Sequence, residues 1–388
     1  MNPPRPNPLR DLEPVALRPA RKGRGARANP TGRFERRQLE PDLDTLSAIK
    51  IVNTPGAPDD FDALGEDPSL TSGPETVVIP DASRTAINFN KSPDIPFNAS
   101  LNPYRGCEHG CAYCYARPTH EYLGYSAGLD FETKILVKEH APELLRRELS
   151  SPRWKPQVVS LSGVTDAYQP LERRLALTRR CIEVFVEFRN PISILTKNAL
   201  VTRDIDLLLQ LAEDNAVTVA LSITTLNAQL QRILEPRASS SQQRLRALEK
   251  LSKAGIPTGV MIAPILPGLT DIETPALLEA AASAGARWAG QTVLRLPHGV
   301  RDLFDDWLLT HRPLRRKKVL SRIESLRGGR LNDSRFGTRM RGEGRFAEQI
   351  SDLFHLWRRR QGLDRRPPTL STECFRRPGG TQLTLDVD

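Results

Sequence analysis

From about residue 155 the chain alternates short apolar runs rich in β-branched residues with amphipathic segments that end at glycine or a polar turn. QVVSLSG (157–163), PISILTKN (191–198), TVALSITT (218–225), PTGVMIAPILPG (257–268) and RWAGQTVLRLP (287–297) read as strands. Between them fall helical patterns. One runs from Leu171 to Phe188 with Leu171, Leu175, Ile182 and Phe185 on one side; the others are IDLLLQLA, QQRLRALEKLSKAG with Gly255 as its stop, and TPALLEAAASAG. A strand around SLNPY, ahead of these units, brings the number to six. Right-handed βα crossovers make the strands parallel, and six units close most of a barrel or lie as a flat doubly wound sheet. In either case chemistry gathers at the strand C-termini, where the sequence puts Thr165 and Asp166, Thr196 and Lys197, and Ser222 to Thr224.

The loop that follows the first strand holds CEHGCAYC, residues 107–114, with three of the five cysteines. Five cysteines in a chain of 388 residues make no disulfide framework, and three on one short loop suit a metal. Structural zinc takes a fourth protein ligand, and no second Cys or His pair follows; His109 and His120 leave a Cys3His zinc site open. An iron-sulfur cluster held by three thiolates keeps one iron vacant for a substrate or cofactor.

The pattern C-x3-C-x2-C, with the aromatic Tyr113 before the last cysteine, resembles the signature of radical S-adenosylmethionine (SAM) enzymes. NPYRGCEHGCAYCYARPTHEY, TDAYQPLE, ILTKN, EPRASS and APILPGLTD resemble the branch related to spore photoproduct lyase, the DNA repair photolyase-like proteins, over roughly residues 85–300. DSRFGTRMRGEG is similar to an uncharacterised bacterial subgroup of that branch. The resemblance implies a partial (β/α)6 TIM-like barrel and a [4Fe-4S] cluster on Cys107, Cys111 and Cys114. Its open iron would chelate SAM, which the reduced cluster cleaves to a 5′-deoxyadenosyl radical; an electron donor of the flavodoxin or ferredoxin type is implied as partner.

The same resemblance implies that Tyr113 packs beside cluster and adenine and that Tyr115 lines the SAM pocket. Thr165 and Asp166 would meet the SAM amino group, although Asp166 also reads as a cap for the helix after it. Lys197 and Arg237 would meet the SAM carboxylate, Ser222 or Thr224 the ribose, and backbone at Gly268 the adenine. The hydrogen-donor cysteine expected of spore photoproduct lyase after the second strand is missing: SLSGVTD offers Ser160, Ser162 and Gly163. Cys181 reads as a small buried hydrophobe, and Cys374 has no assigned role.

Residues 1–75 read as a flexible, disordered basic arm rich in Pro and Arg, with ten Lys or Arg against three Asp or Glu in the first 37 positions. Residues 76–300 form the core barrel. Residues 301–388 form a mostly helical basic extension, with twelve Lys or Arg against three Asp or Glu between 311 and 345, whose Gly/Arg-rich loop suits phosphate contacts. A net charge of +10 favours an acidic partner, nucleic acid first, and nucleic acid is the expected substrate class. The start MNPPRPNPLR lacks an apolar signal region, and runs such as VTVALSI fall short of the roughly 20 residues of a membrane span, so cytoplasm is expected. The alternative from another class is a non-catalytic nucleic-acid-binding protein holding zinc or an iron-sulfur cluster.

Overall fold

The computed structural model describes residues 23–34 and 75–378. Its centre is a seven-stranded sheet in the order β10-β9-β8-β7-β6-β3-β2. The strands are β2 (Ile87–Phe89), β3 (Ala99–Leu101), β6 (Val159–Leu161), β7 (Ile192–Thr196), β8 (Val217–Ser222), β9 (Thr258–Ile265) and β10 (Trp288–Val293). From β3 to β10 every pairing is parallel; β2 alone runs antiparallel, against β3. The six parallel strands are those expected from the sequence, and the sheet stays open between β2 and β10, as a partial barrel does.

Burial alternates along the strands. In β7, Ile192, Ile194 and Thr196 are buried while Ser193 is partly exposed and Leu195 is 38% exposed. A leucine left wet in a central strand means that one face packs on helices and the other lines an open concavity. Ala220, in register with Leu195, and Met261 and Gly290, in register with each other, are partly exposed and continue that face with short or flexible side chains. The helices Leu177–Phe188, Ile205–Glu213, Ser241–Lys253 and Thr274–Ser283 cover the outer face, and the main core lies beneath them.

Three features depart from expectation. The helix expected from Leu171 to Phe188 breaks into Glu172–Leu175 and Leu177–Phe188 at Ala176, which adopts φ +47°. The cause is Glu172, fully buried, whose carboxylate accepts from the amides of Thr178 and Arg179 and so starts the second helix itself. A second sheet, β1-β5-β4 (Val77–Pro80, Lys134–Val137, Tyr104–Arg105), had no periodic signal because its strands are two to four residues long. Within the stretch read as a flexible arm, residues 23–34 are docked against the cysteine loop, with Arg24, Ala26 and Arg27 buried. The rest of the expected arm, residues 1–22 and 35–74, lies outside the described residues.

The C-terminal part shares the core. Phe304, Trp307, Leu308, Val319 and Ile323, from the helices Val300–His311 and Pro313–Ser325, pack in one cluster with Cys111, Ala112 and Tyr113. Ala347, Ile350 and Phe354 of the helix Arg345–Arg360 join the main core. The segment after it covers the free edge of β10, with the Ala289 amide bonded to the Leu363 carbonyl and a bridge from Trp288 to Asp364. Among the described residues, no helix is long and apolar enough to cross a membrane.

Candidate active site at the cysteine loop

The cysteine loop stands over the C-terminal ends of the strands and is held by its own backbone. The Cys107 amide donates to Phe131 O (2.9 Å) and the Ala112 amide to Leu234 O (2.9 Å). Gly106 and Gly110 turn the chain at φ +84° and +64°; a Cβ on Gly110 would sit 2.7 Å from Glu132 Oε2. The free cysteines Cys107 and Cys111 are buried and Cys114 partly so.

A fully buried carboxylate, Glu132, organises the outer side of the loop. Arg117, also fully buried, pairs with its Oε1 and donates through Nε and Nη2 to the Cys111 carbonyl (3.1 and 2.9 Å). The amides of Gly25 and Ala26 complete the carboxylate at 3.0 and 2.8 Å. A Cβ on Gly25 would lie 1.8 Å from Gly110 O, so only glycine fits where strap and loop cross. Arg24 Nη1 reaches Glu132 O (2.7 Å), and Arg27 pairs with Asp306 (3.2 Å) on the helix Val300–His311. Charge alone gave no sign of this docking, but the glycines between arginines at 23–27 are the signal that could have.

A second buried carboxylate, Glu235, organises the inner side. Its Oε1 accepts from Tyr113 OH, from Thr224 Oγ1 (2.7 Å) and from Lys197 Nζ (3.2 Å); Oε2 pairs with the fully buried Arg244. Lys197 Nζ also donates to Ser222 Oγ (2.8 Å), Thr224 Oγ1 (3.2 Å) and Ala263 O (2.9 Å), and lies 5.8 Å from the Tyr113 ring centre. Burial alone would raise the Glu235 pKa, yet Arg244 and Lys197 hold it far below the usual carboxylate range. Two cations thus face one carboxylate, leaving a surplus positive charge beside the concavity.

Tyr113, Lys197, Ser222 and Thr224 therefore come together as one group, joined by Glu235 and Arg244, which sequence reasoning missed. Their pairings span 9 to 122 residues, too far apart for any local pattern. Thr165 donates to the Gly106 carbonyl (2.6 Å), where Gln169 Nε2 also donates (3.3 Å), so it fastens the base of the loop. Asp166 accepts from the Tyr168 amide (2.9 Å), Thr196 Oγ1 (2.7 Å) and the Lys197 amide (2.8 Å), a local turn and a tether to β7; it does not cap the helix after it, which starts at Glu172 behind Leu171 with no side-chain cap.

Arg237 does not join the Lys197 group; it pairs with Glu108 at 3.2 Å. Tyr115 is 49% exposed at the rim, its hydroxyl donating to Gly163 O. Gly268 turns at φ +79° with its amide on Asp271 Oδ1 (2.8 Å), beside Arg322 and Val319 rather than the cysteine loop. Cys181 is buried in the main core, as expected.

The residues present fit an iron-sulfur cluster better than zinc. Three free thiols on one loop are the donor set a cluster takes. Burial pushes all three up from the ordinary thiol value; Asp166 and then Cys114 add to this at Cys107, while Arg117 opposes it at Cys114. Bound cations would relieve that cost. Of the two histidines of the zinc alternative, His109 is engaged at both ring nitrogens, by Asp166 (3.5 Å) and Asn198 (3.2 Å), while His120 contacts the Lys134 carbonyl through Nε2 (2.9 Å) and keeps Nδ1 buried without a partner.

The sequence model of the radical SAM superfamily matches residues 101–281. An uncharacterized protein of Mycobacterium tuberculosis is 39% identical over 243 residues, 61% of this chain and 70% of its own length. The chain belongs to the radical SAM superfamily and is a radical SAM enzyme. Such enzymes use SAM and an iron-sulfur cluster and need a reductant.

Among solved structures, a spore photoproduct lyase variant with bound AdoMet and dinucleoside spore photoproduct has a similar fold. It aligns with a TM-score of 0.52 at 16% identity over 74% of this chain and 79% of that one. A radical SAM Nalpha-GlyT isomerase of a Pseudomonas phage is 32% identical over 170 residues, 43% of this chain and 33% of its own.

Proposed function

We propose that Cys107, Cys111 and Cys114 hold a [4Fe-4S] cluster, that SAM binds between this loop and the strand ends, and that the substrate is a nucleic acid. When bound and reduced, the cluster with SAM supplies a 5′-deoxyadenosyl radical. The observation that carries this reading is the Lys197 ammonium, which shares Glu235 with Arg244 beside Tyr113 and so retains charge for an anionic ligand. Its part is to receive the SAM carboxylate. Ser222 and Thr224 present hydroxyls to the ribose, and Tyr113 forms the wall next to the last cysteine. Thr165, Asp166 and Arg237 hold the loop and β7 in place for that binding; Tyr115 borders the entrance.

Support for a nucleic-acid substrate comes from the net charge of +10 and from the dinucleoside ligand of the structure with similar fold. The five cysteines are the three on the loop, Cys181 in the core and Cys374 in the tail, so no thiol lies in the segment directly after β6, where SLSGVTD stands. A thiol-terminated repair step is therefore not proposed. A flavodoxin- or ferredoxin-like protein would supply the electron.

Anaerobically purified protein should be brown, with about four irons per chain, and Cys111→Ala should lose them. Colourless protein with one zinc would contradict the proposal and favour the non-catalytic alternative.

A further inference from the structure

The arginines around the barrel mouth are almost all spoken for. Arg339 is held by Asp94 through Nε (2.6 Å) and Nη2, and by Ser92 (2.5 Å). Arg327 donates to the carbonyls of Leu294 (2.7 Å), Arg339 (2.9 Å) and Thr338 (3.0 Å), and Arg335 pairs with Asp333 and Glu343. The Gly/Arg-rich loop, expected to fan its arginines toward phosphates, thus spends Arg335 and Arg339 on itself and its neighbours.

Arg295, two residues beyond β10, differs. Among the described residues no carboxylate forms an ion pair with it. Its contacts are the Tyr115 ring, 5.5 Å from Cζ, and a 3.6 Å approach of Nη1 to Met340 Sδ. Its Nε is buried without a partner. Burial, and next the nearby Arg339, push against its positive charge, with Tyr115 and Asp94 opposing them in part. A half-buried guanidinium with an orphaned donor and no ion pair of its own is a place that an anion can complete. Tyr115, which it touches, is 49% exposed, and the neighbouring Arg339 lies 4.7 Å over the ring of Phe336, itself 59% exposed.

We infer that Arg295 is an oxyanion anchor at the barrel mouth that binds a phosphate of the substrate, with Tyr115 and Phe336 as stacking surfaces for the adjoining base. A planar fork matches a phosphate bidentately, and aromatic faces accept any base. The owner of the phosphate rests on the nucleic-acid reading above; the oxyanion site does not.

Two probes separate the two claims on the full chain: a 5′-phosphorylated, fluorescein-labelled oligothymidylate followed by anisotropy, and inorganic pyrophosphate followed by 31P line broadening. Arg295→Gln should weaken oligonucleotide binding about ten- to a hundred-fold and lower the salt slope by about one, and it should abolish pyrophosphate broadening. Arg295→Lys should keep part of both and serves if the Gln variant folds poorly. Pyrophosphate bound through Arg295 with no oligonucleotide binding would keep the anchor and remove the nucleic-acid reading. Equal binding by wild type and Arg295→Gln, or no pyrophosphate binding by wild type, overturns the anchor.

Discussion

Two buried carboxylates flank the cysteine loop and are used in opposite ways. Glu132, on the outer side, pairs through its carboxylate with one cation, Arg117, and with two backbone amides from residues 25 and 26, while buried Arg24 stands on its backbone carbonyl, so its acceptors are filled by fixed groups of the scaffold. Glu235, on the inner side, meets two cations, and the one nearer the concavity also touches hydroxyls. The difference teaches that a buried ion pair is scaffolding when fixed groups fill it and becomes a ligand site when one of its cations lies toward the concavity.

That contrast can be broken by substitution. Glu132→Leu strands a buried guanidinium and two strap amides, and should cost about 3–5 kcal/mol, read as a lower calorimetric midpoint. Lys197→Met leaves Glu235 still paired with Arg244. It should weaken SAM binding about ten- to a hundred-fold, measured by equilibrium dialysis, while the midpoint moves far less than with Glu132→Leu. If both substitutions lowered the midpoint equally and neither changed SAM affinity beyond that, the division of labour would be refuted.

The two sides also separate with pH. Burial holds His120, fully enclosed on the outer side, at about 4, and lowers His109 as well. Each folded value is below the unfolded one, near 6.5, so the unfolded chain takes up protons first as pH falls. Their stabilisation is complete above about pH 6.5 and, for His120, is lost progressively toward about pH 4. Glu235, held far lower by Arg244 and Lys197 against its burial, keeps its contribution until pH falls to about 4.5, the ordinary carboxylate value, and loses most of it only below pH 4. His120→Gln should therefore flatten the fall of the thermal midpoint between pH 6.5 and 4; an unchanged slope would assign the fall to other groups.

Gly25→Val is the sharpest probe of the strap, because its side chain would collide with the Gly110 carbonyl. A loss of about 1–3 kcal/mol is expected. No loss would mean that the strap does not dock in solution.

Much of the architecture was legible because it follows local rules. β-branched strands such as ISILT and VTVALS and helices with one apolar stripe announce themselves within a dozen residues. Ala176 broke its helix where periodicity ran on, since the cause, the buried Glu172 carboxylate, acts through a side chain. At the site, the cysteine spacing and the polar residues at strand ends were visible for the same local reason. Glu235 with Arg244, and Glu132 with Gly25, were not, because nothing in a sequence marks which distant charge will find which carboxylate. The strap was misread because an arginine-rich stretch looks solvated until glycines are weighed as points of close approach.

The central claim is that the three loop cysteines make this chain a SAM-cleaving enzyme. Its most direct test is the yield of 5′-deoxyadenosine from SAM under anaerobic reduction by dithionite, compared between wild type and Cys111→Ala. Release by the wild type with loss to background in Cys111→Ala is the predicted result. Equal release by both, or none by an iron-loaded wild type, would contradict it.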